Sequence, residues 1–201
     1  MKSNLHTILR IALVVILIFS VALACVSCNK ENYVETDQIT EYVKITMESG
    51  DAIVIKLLPQ YAPITVANFQ KLVSEHFYDG IIFHRVIKNF MIQGGDPTGT
   101  GFNGSGTTIK GEFVANGVNN YLAHSRGVVS MARSKSYDSA SSQFFICQVD
   151  YPSLNGLYAA FGIVVEGIET VDKIAEVATD VNDKPLVEQK MRSVTFVEPV
   201  K

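Results

Sequence analysis

Residues 81–96 read IIFHRVIKNFMIQGGD and place one arginine, Arg85, in a mainly apolar stretch that ends on two glycines and an aspartate. A guanidinium is always charged and is costly to bury without a partner. Counting by two along a strand separates Arg85 from His84 and Val86, and both faces are mainly apolar, which predicts a central strand. Arg85 therefore either lines a functional site or forms a partly buried salt bridge. His84 is interpreted as a buried core histidine, with a role in the site as the alternative.

The rest of the chain predicts a mainly β fold. Strand-like patterns occupy eight segments, namely 43–47, 53–58, 81–87, 90–93, 127–132, 143–149, 160–165 and 192–197. Apolar residues at helical spacing predict helices over 62–76 and 168–178. Strands and helices do not alternate, which favours an antiparallel barrel with helices covering its ends over a parallel sheet.

The first 24 residues have the features of a lipoprotein signal peptide. Residues 11–24, IALVVILIFSVALA, are apolar and follow Lys2 and Arg10. A helix of this length spans about 21 Å, less than the roughly 30 Å hydrocarbon core of a bilayer. The stretch VALAC resembles a bacterial lipoprotein cleavage box, in which Cys25 becomes the lipidated N-terminus. The alternative is an uncleaved anchor, and both readings place the remaining chain outside the cytoplasm, attached to the bacterial cell membrane.

The chain divides into three segments. Residues 1–24 are the predicted signal peptide, residues 25–40 a flexible tether, and residues 41–201 a folded domain. The tether is predicted because NKENYVETDQIT, residues 29–40, is polar and lacks periodicity. Loss of Lys2 and Arg10 with the leader changes the formal charge from −3 to −5. This acidic balance argues against nucleic acid as a partner.

The three cysteines predict neither a disulfide framework nor a metal site. Cys25 and Cys28 form a CxxC pattern, but no second pair or histidine cluster accompanies it. Cys147 alternates within a predicted strand and is interpreted as a packing residue. The histidines are scattered without ligand spacing, so no metal is predicted.

Two other active-site motifs were considered, and the surrounding sequence supports neither. GTGFNG, residues 99–104, matches the glycine fingerprint of dinucleotide sites, but the glycine-rich residues 105–116 show no helical stripe to receive a pyrophosphate. A Ser/His/Asp hydrolase is disfavoured because no GxSxG motif is present. The segment 97–124 nevertheless predicts a long functional loop.

Three ordered motifs carry a family resemblance. FHRVIKNFMIQGGD at 83–96, SMARSKSYDSASSQFFI at 130–146 and LNGLYAAFG at 154–162 together resemble the cyclophilin peptidyl-prolyl isomerases. The similarity extends from about residue 41 to the C-terminus. It implies a closed eight-stranded antiparallel barrel capped by two α-helices.

By motif position, the resemblance also implies the site. Arg85 matches the catalytic arginine of the family. Residues matching the lining of the proline pocket are Phe90, Met91, Gln93, Phe145 and Leu154. Positions whose backbone contacts substrate are matched by Ala132 and Arg133, and Gln143 is the glutamine of the QFF motif. Tyr158 occupies a position often held by histidine. Ser153 stands where many members have tryptophan, which argues against tight cyclosporin binding.

The residue types suit proline isomerisation. Rotation about an Xaa-Pro bond breaks amide resonance, with a barrier of about 18 to 20 kcal/mol. No bond is made or cleaved, so the reaction needs no cofactor or metal. A guanidinium can donate a hydrogen bond to the proline nitrogen as it regains its lone pair, while apolar residues hold the ring.

We therefore expect a monomeric, membrane-anchored isomerase that acts on proline-containing peptides and on unfolded or exported proteins. The alternative is a proline-peptide binding module with the same shape but little catalysis.

Overall fold

The computed structural model describes residues 32–200. The predicted signal peptide, the predicted lipidation site at Cys25 and the first part of the predicted tether lie outside these residues. Strands in the described part are β1 Tyr33–Glu35, β2 Tyr42–Met47, β3 Ala52–Leu57, β4 Arg85–Ile87, β5 Met91–Gly94, β6 Val128–Met131, β7 Phe144–Cys147, β8 Ala160–Glu166 and β9 Met191–Pro199. Within residues 32–200 no helix is both long and apolar enough to cross a membrane.

The strands form one antiparallel sheet in the order β1-β9-β2-β3-β8-β6-β7-β5-β4. The mainly β fold with two helices is confirmed, but the closed eight-stranded barrel is wrong in two respects. The described residues contain nine strands, and no ladder of hydrogen bonds joins the ends of the sheet. The segment before β4 contacts the start of β9 through an isolated bridge between Ile82 and Lys190 and through backbone hydrogen bonds of residues 80–83 with Met191 and Gln189, but β4 itself does not pair with β9.

The extra strand, β1, lies in the segment predicted to be a tether. Tyr33 pairs with Pro199 and Glu35 with Val197 of β9. The amide of Thr36 then donates to the carbonyl oxygen of Phe196 at 3.1 Å. Residues 33–36 are therefore part of the sheet rather than a flexible tether. Three residues without an alternating apolar pattern give little signal in the sequence.

Two α-helices pack on the sheet, α1 over Pro63–Ser74 and α2 over Ile168–Ala175. Both were predicted, with ends that differ by at most three residues. The N-cap of α1, Ala62, has no polar side-chain atom to accept hydrogen bonds from the first amides. The carboxylate of the buried Glu112 does so instead: it accepts from the amides of Ile64 and Thr65 at 3.1 and 2.7 Å.

Alternation along β5 and β7 sorts side chains between two apolar clusters. Ile92 and Phe144 belong to the main core between sheet and helices. Met91, Phe145 and Cys147 point to the other face of the sheet and form a second, smaller cluster. The second cluster is the apolar base on which the candidate site is built.

The predicted strand over residues 81–87 is shorter and differently placed than expected. It begins only at Arg85 and lies at one end of the strand order, not at its centre. Its outer edge is covered by a loop, since the amide of Val86 donates to the carbonyl oxygen of Asp183 at 2.8 Å. This covering pairs a backbone amide that an end strand would otherwise leave open.

Candidate active site

Strand register brings the central side chains of the site together. Arg85 on β4 is directly opposite Gln93 on β5, and Gln93 is directly opposite Phe145 on β7. Residues opposite one another in adjacent antiparallel strands project from the same face of the sheet. One row across three strands therefore carries a cation, an amide and an aromatic ring, with Met91 two residues from Gln93 on the same face.

This row forms one wall of a cavity of about 670 Å³. Nine of the ten residues predicted for the site line it, namely Arg85, Phe90, Met91, Gln93, Ala132, Arg133, Phe145, Leu154 and Tyr158. The apolar floor is well buried, with Met91 and Phe145 at 1% and 5% exposure. The structure thus gathers residues from four separate parts of the sequence at one cavity, and their individual roles stay predictions.

The tenth predicted residue, Gln143, lies in a neighbouring cavity of about 600 Å³. Its side-chain amide donates to the carbonyl oxygens of Gly101 and Asn103 at 3.0 and 2.7 Å. Its side-chain oxygen accepts a 2.9 Å hydrogen bond from Gln93. Gln143 therefore ties the glycine-rich loop to the sheet and orients Gln93.

The sequence left two interpretations of Arg85 open, a residue that lines a functional site or a partner in a salt bridge, and the structure shows features of both. Arg85 lines the cavity, and its Nε lies 3.3 Å from Oδ2 of Asp183, with both side chains 42% exposed. The two Nη groups have no hydrogen-bond partner among residues 32–200. The guanidinium thus forms a partly exposed ion pair through one nitrogen and keeps donors for a ligand on the other two.

Arg133 is held in place by its side chain. Nε and Nη2 donate to the carbonyl oxygen of Leu157 at 3.1 and 2.8 Å, and Nη1 donates to that of Ser134 at 2.9 Å. The guanidinium carbon lies 4.6 Å from the centroid of the Tyr158 ring. Arg133 therefore anchors the segment that carries Tyr158 on the cavity wall.

The buried side chain of His124 packs behind the aromatic wall of the cavity. The His124 ring stacks on Phe145 with centroids 6.0 Å apart. One ring nitrogen of His124 lies 3.0 Å from Oγ of Ser130, and the other lies 3.2 Å from Oδ1 of Asn155. Burial lowers the pKa of His124, so the imidazole is neutral at neutral pH.

His84 lines the cavity although it was interpreted as a core residue. It is 5% exposed, and neither ring nitrogen has a hydrogen-bond partner among the described residues. Burial lowers its pKa; the charge of Asp96 opposes this, and those of Lys184 and Arg85 reinforce it. A neutral imidazole therefore lies beside the charged Arg85.

Two loops complete the cavity; sequence reasoning predicted the first as a functional loop without naming its residues, and it missed the second. The glycine-rich loop contributes Gly99, Thr100, Gly101 and Phe102, and a later loop contributes Asp180, Asn182 and Lys184. Asp96 organises the first loop, because its buried carboxylate accepts from the amide and hydroxyl of Thr98 and from the amides of Gly101 and Asn103. The length and glycine content of residues 97–124 pointed to this loop, whereas residues 180–184 carried no signal.

The cavity lining combines apolar and aromatic side chains with several polar ones. Among residues 32–200 there is no group of three or more His, Cys, Asp or Glu side chains placed to hold a metal ion. Cys147 packs under the cavity floor, where burial raises the pKa of its thiol to about 12 and disfavours the thiolate. The cavity offers a ligand an apolar floor, aromatic walls and the unpartnered Nη donors of Arg85, whereas the Arg133 nitrogens are already hydrogen-bonded.

Comparison with known proteins agrees with this geometry. Residues 42–196 match the family described as cyclophilin type peptidyl-prolyl cis-trans isomerase/CLD. Peptidyl-prolyl cis-trans isomerase B of Bacillus subtilis (strain 168) is 48% identical over 123 residues, which cover 61% of this chain and 82% of that protein. Peptidyl-prolyl cis-trans isomerase CYP18-1 of Arabidopsis thaliana is 45% identical over 135 residues, covering 67% of this chain and 82% of that protein.

Solved structures show the same relationship. The crystal structure of a cyclophilin type peptidyl-prolyl cis-trans isomerase from Cryptosporidium parvum, determined in the presence of the dipeptide Ala-Pro, superposes with a TM-score of 0.70 at 34% sequence identity. The alignment covers 77% of this chain and 97% of that one. Sequence, fold and cavity together show that the chain belongs to the cyclophilin-type peptidyl-prolyl cis-trans isomerase family.

Proposed function

We propose that this isomerase uses Arg85 to accelerate cis/trans exchange of Xaa-Pro bonds in exported proteins at the membrane surface. The observation that carries the proposal is the position of Arg85, a guanidinium with unpartnered Nη donors at the edge of an apolar cavity. Isomerase activity follows from the family. The role of each residue and the cellular setting are what we propose.

The geometry supports a separate role for each group of residues that lines the cavity. The buried side chains of Met91 and Phe145 hold the pyrrolidine ring as a fixed end. The Arg85 guanidinium donates to the proline nitrogen, an interaction that strengthens as amide resonance is lost. Gln93, held by Gln143, hydrogen-bonds the peptide backbone and keeps the chain in register. A ten-thousandfold acceleration requires about 5.4 kcal/mol of selective stabilisation, within reach of one such donor plus positioning.

The alternative is a proline-peptide binding module with little catalysis. The two are separated by measuring peptide binding and exchange in the same samples of residues 29–201. The proposal predicts that a catalytic amount of protein broadens and averages the cis and trans resonances of a short proline peptide. Binding without any change in exchange rate would establish the module instead.

The membrane setting rests on the leader and on Cys25. Apolar residues 11–24 and the VALAC stretch support export and lipidation. We expect radiolabelled fatty acid to be incorporated into the full chain expressed in a bacterial host. Cys25→Ser should abolish the label, whereas Cys28→Ser, the matched control, should retain it. Label persisting in Cys25→Ser would exclude Cys25 as the lipidated residue.

A further inference from the structure

The loop over residues 179–185 lies against Arg85 and is internally braced. An isolated bridge joins Thr179 and Pro185 at its base. The side-chain oxygen Oδ1 of Asp180 accepts from the amides of Asn182 and Lys184 at 2.8 and 3.0 Å. The amide of Asp180 donates to the carbonyl oxygen of Lys184 at 2.8 Å. These bonds fix the loop tip without help from any ligand.

The tip residue, Asp183, is held in an uncommon backbone conformation. Its φ of 63° lies in the left-handed region, where Asp, Asn and Gly are the residues best tolerated. Its amide donates to the carbonyl oxygen of Asp180 at 3.1 Å, and its own carbonyl oxygen accepts from the amide of Val86 at 2.8 Å. The backbone of Asp183 is thus fastened to the residue next to Arg85.

The side chain of Asp183 reaches Arg85 from outside the cavity. Asp180, Asn182 and Lys184 line the cavity, whereas Asp183 does not. Its Oδ2 lies 3.3 Å from Nε of Arg85, the guanidinium nitrogen nearest the side-chain stem. An acceptor at Nε restricts rotation of the guanidinium plane and leaves the Nη groups for a ligand.

We propose that Asp183 is a positioning residue that sets the orientation of the Arg85 guanidinium for catalysis. The inference rests on the proposed role of Arg85. An ion pair whose partners are both 42% exposed contributes little to stability. The ion pair instead restricts the rotamers of the long Arg85 side chain before substrate binds. The guanidinium is then already oriented for catalysis when substrate arrives.

The test uses substitutions that the left-handed backbone accepts. Asp183→Gly removes the carboxylate, and Asp183→Asn keeps a weaker acceptor. We expect Asp183→Gly to lower kcat/KM for a proline peptide about tenfold, mainly through kcat, and Asp183→Asn to lower it less. The Arg85 Nε–H resonance in nitrogen-15 NMR spectra should move and exchange faster with water in both variants. In an Arg85→Ala background, Asp183→Gly should cause no further loss.

Asp51→Asn is the matched control, because it removes a comparable surface ion pair with Lys173 at 2.8 Å outside the cavity lining. It should leave kcat/KM unchanged. Wild-type kinetics and an unaltered Nε–H signal in Asp183→Gly would overturn the inference while leaving the role of Arg85 intact. Full activity of Arg85→Ala would refute the proposed role of Arg85 itself, and the inference with it.

Discussion

At the scale of single residues, the position of Arg85 follows from strand alternation and from one ion pair. Val86 beside it is buried in the main core at 2% exposure, while Arg85 projects toward the cavity. Alternation predicted this separation of Arg85 from Val86 but not that His84 also lines the cavity. Alternation could not predict the ion pair between Arg85 and Asp183, because these residues are 98 positions apart in the chain.

Arg133 gives a prediction at the same scale. Replacing it by Ala removes three hydrogen bonds to backbone carbonyls and the contact with the Tyr158 ring. We expect a loss of about 1 to 3 kcal/mol in the free energy of unfolding and a several-fold rise in KM for a proline peptide. Urea titration and steady-state kinetics measure the two effects.

The control for that prediction is Arg192→Ala. Arg192 is exposed on β9 and its side chain has no polar contact among residues 32–200, so its replacement should change the free energy of unfolding by less than about 0.5 kcal/mol. Equal effects of the two substitutions would show that the Arg133 contacts do not anchor the cavity wall.

At the scale of elements, local patterns predicted helices and most strands but not the contacts that complete them. Helix α1 was visible in its apolar spacing, whereas its cap, Glu112, lies 47 residues beyond Thr65. Strand β1 was missed because it is short and gains its partners from β9 at the far end of the chain. Long-range pairing decides both features, and a single sequence carries no local signal for it.

The cap of α1 yields the second prediction. Glu112→Gln leaves one side-chain acceptor where the carboxylate serves two amides and the hydroxyl of Thr65. We expect the free energy of unfolding to fall by about 1 to 3 kcal/mol, since charge-assisted hydrogen bonds to a helix N-terminus are lost. A shift in the urea midpoint at unchanged slope would report it.

Glu169→Gln provides the comparison for this helix-end effect. Glu169 is the exposed acidic residue in the first turn of α2, and no side-chain cap bond is made there. Its neutralisation should cost only a few tenths of a kcal/mol. A comparable loss in both variants would mean that general helix-dipole effects, rather than the Glu112 bonds, stabilise α1.

At the scale of the whole molecule, the sheet and its loops form the site together. The sheet supplies the row from Arg85 to Phe145 through the register of three strands, which the sequence analysis did not predict. The ends of the sheet and the loop over 179–185 depend on contacts between distant segments, so neither the open strand order nor the covered edge of β4 was predicted. The motifs of the family resemblance supplied the site residues where physical patterns could not.

The buried carboxylate of Asp96 makes the free energy of unfolding depend on pH. Burial raises its pKa, but hydrogen bonds from Thr98, Asn103 and Gly101 outweigh this and hold the pKa at about 2. A carboxyl with a folded-state pKa below its unfolded value contributes stability that is present above about pH 4 and is lost as the pH falls toward 2. We expect a loss of about 2 kcal/mol over this range from Asp96.

Urea unfolding between pH 6 and pH 2 tests this expectation. Asp96→Asn should be less stable than wild type at pH 6 and should lose less stability on acidification, since the titrating group is gone. The exposed Asp138, whose pKa is also lowered, serves as the comparison. If Asp96→Asn and wild type lose stability in parallel, Asp96 is not a source of the acid sensitivity.

The central claim is that Arg85 lowers the barrier to rotation rather than simply holding the peptide. It is tested most directly by two-dimensional exchange NMR on a proline peptide mixed with residues 29–201, comparing wild type with Arg85→Ala. We predict that wild type accelerates cis/trans exchange, and that Arg85→Ala loses at least a hundredfold of the catalysed rate while its folding and its peptide affinity change little. A folded Arg85→Ala variant that catalyses exchange at the wild-type rate would contradict the account.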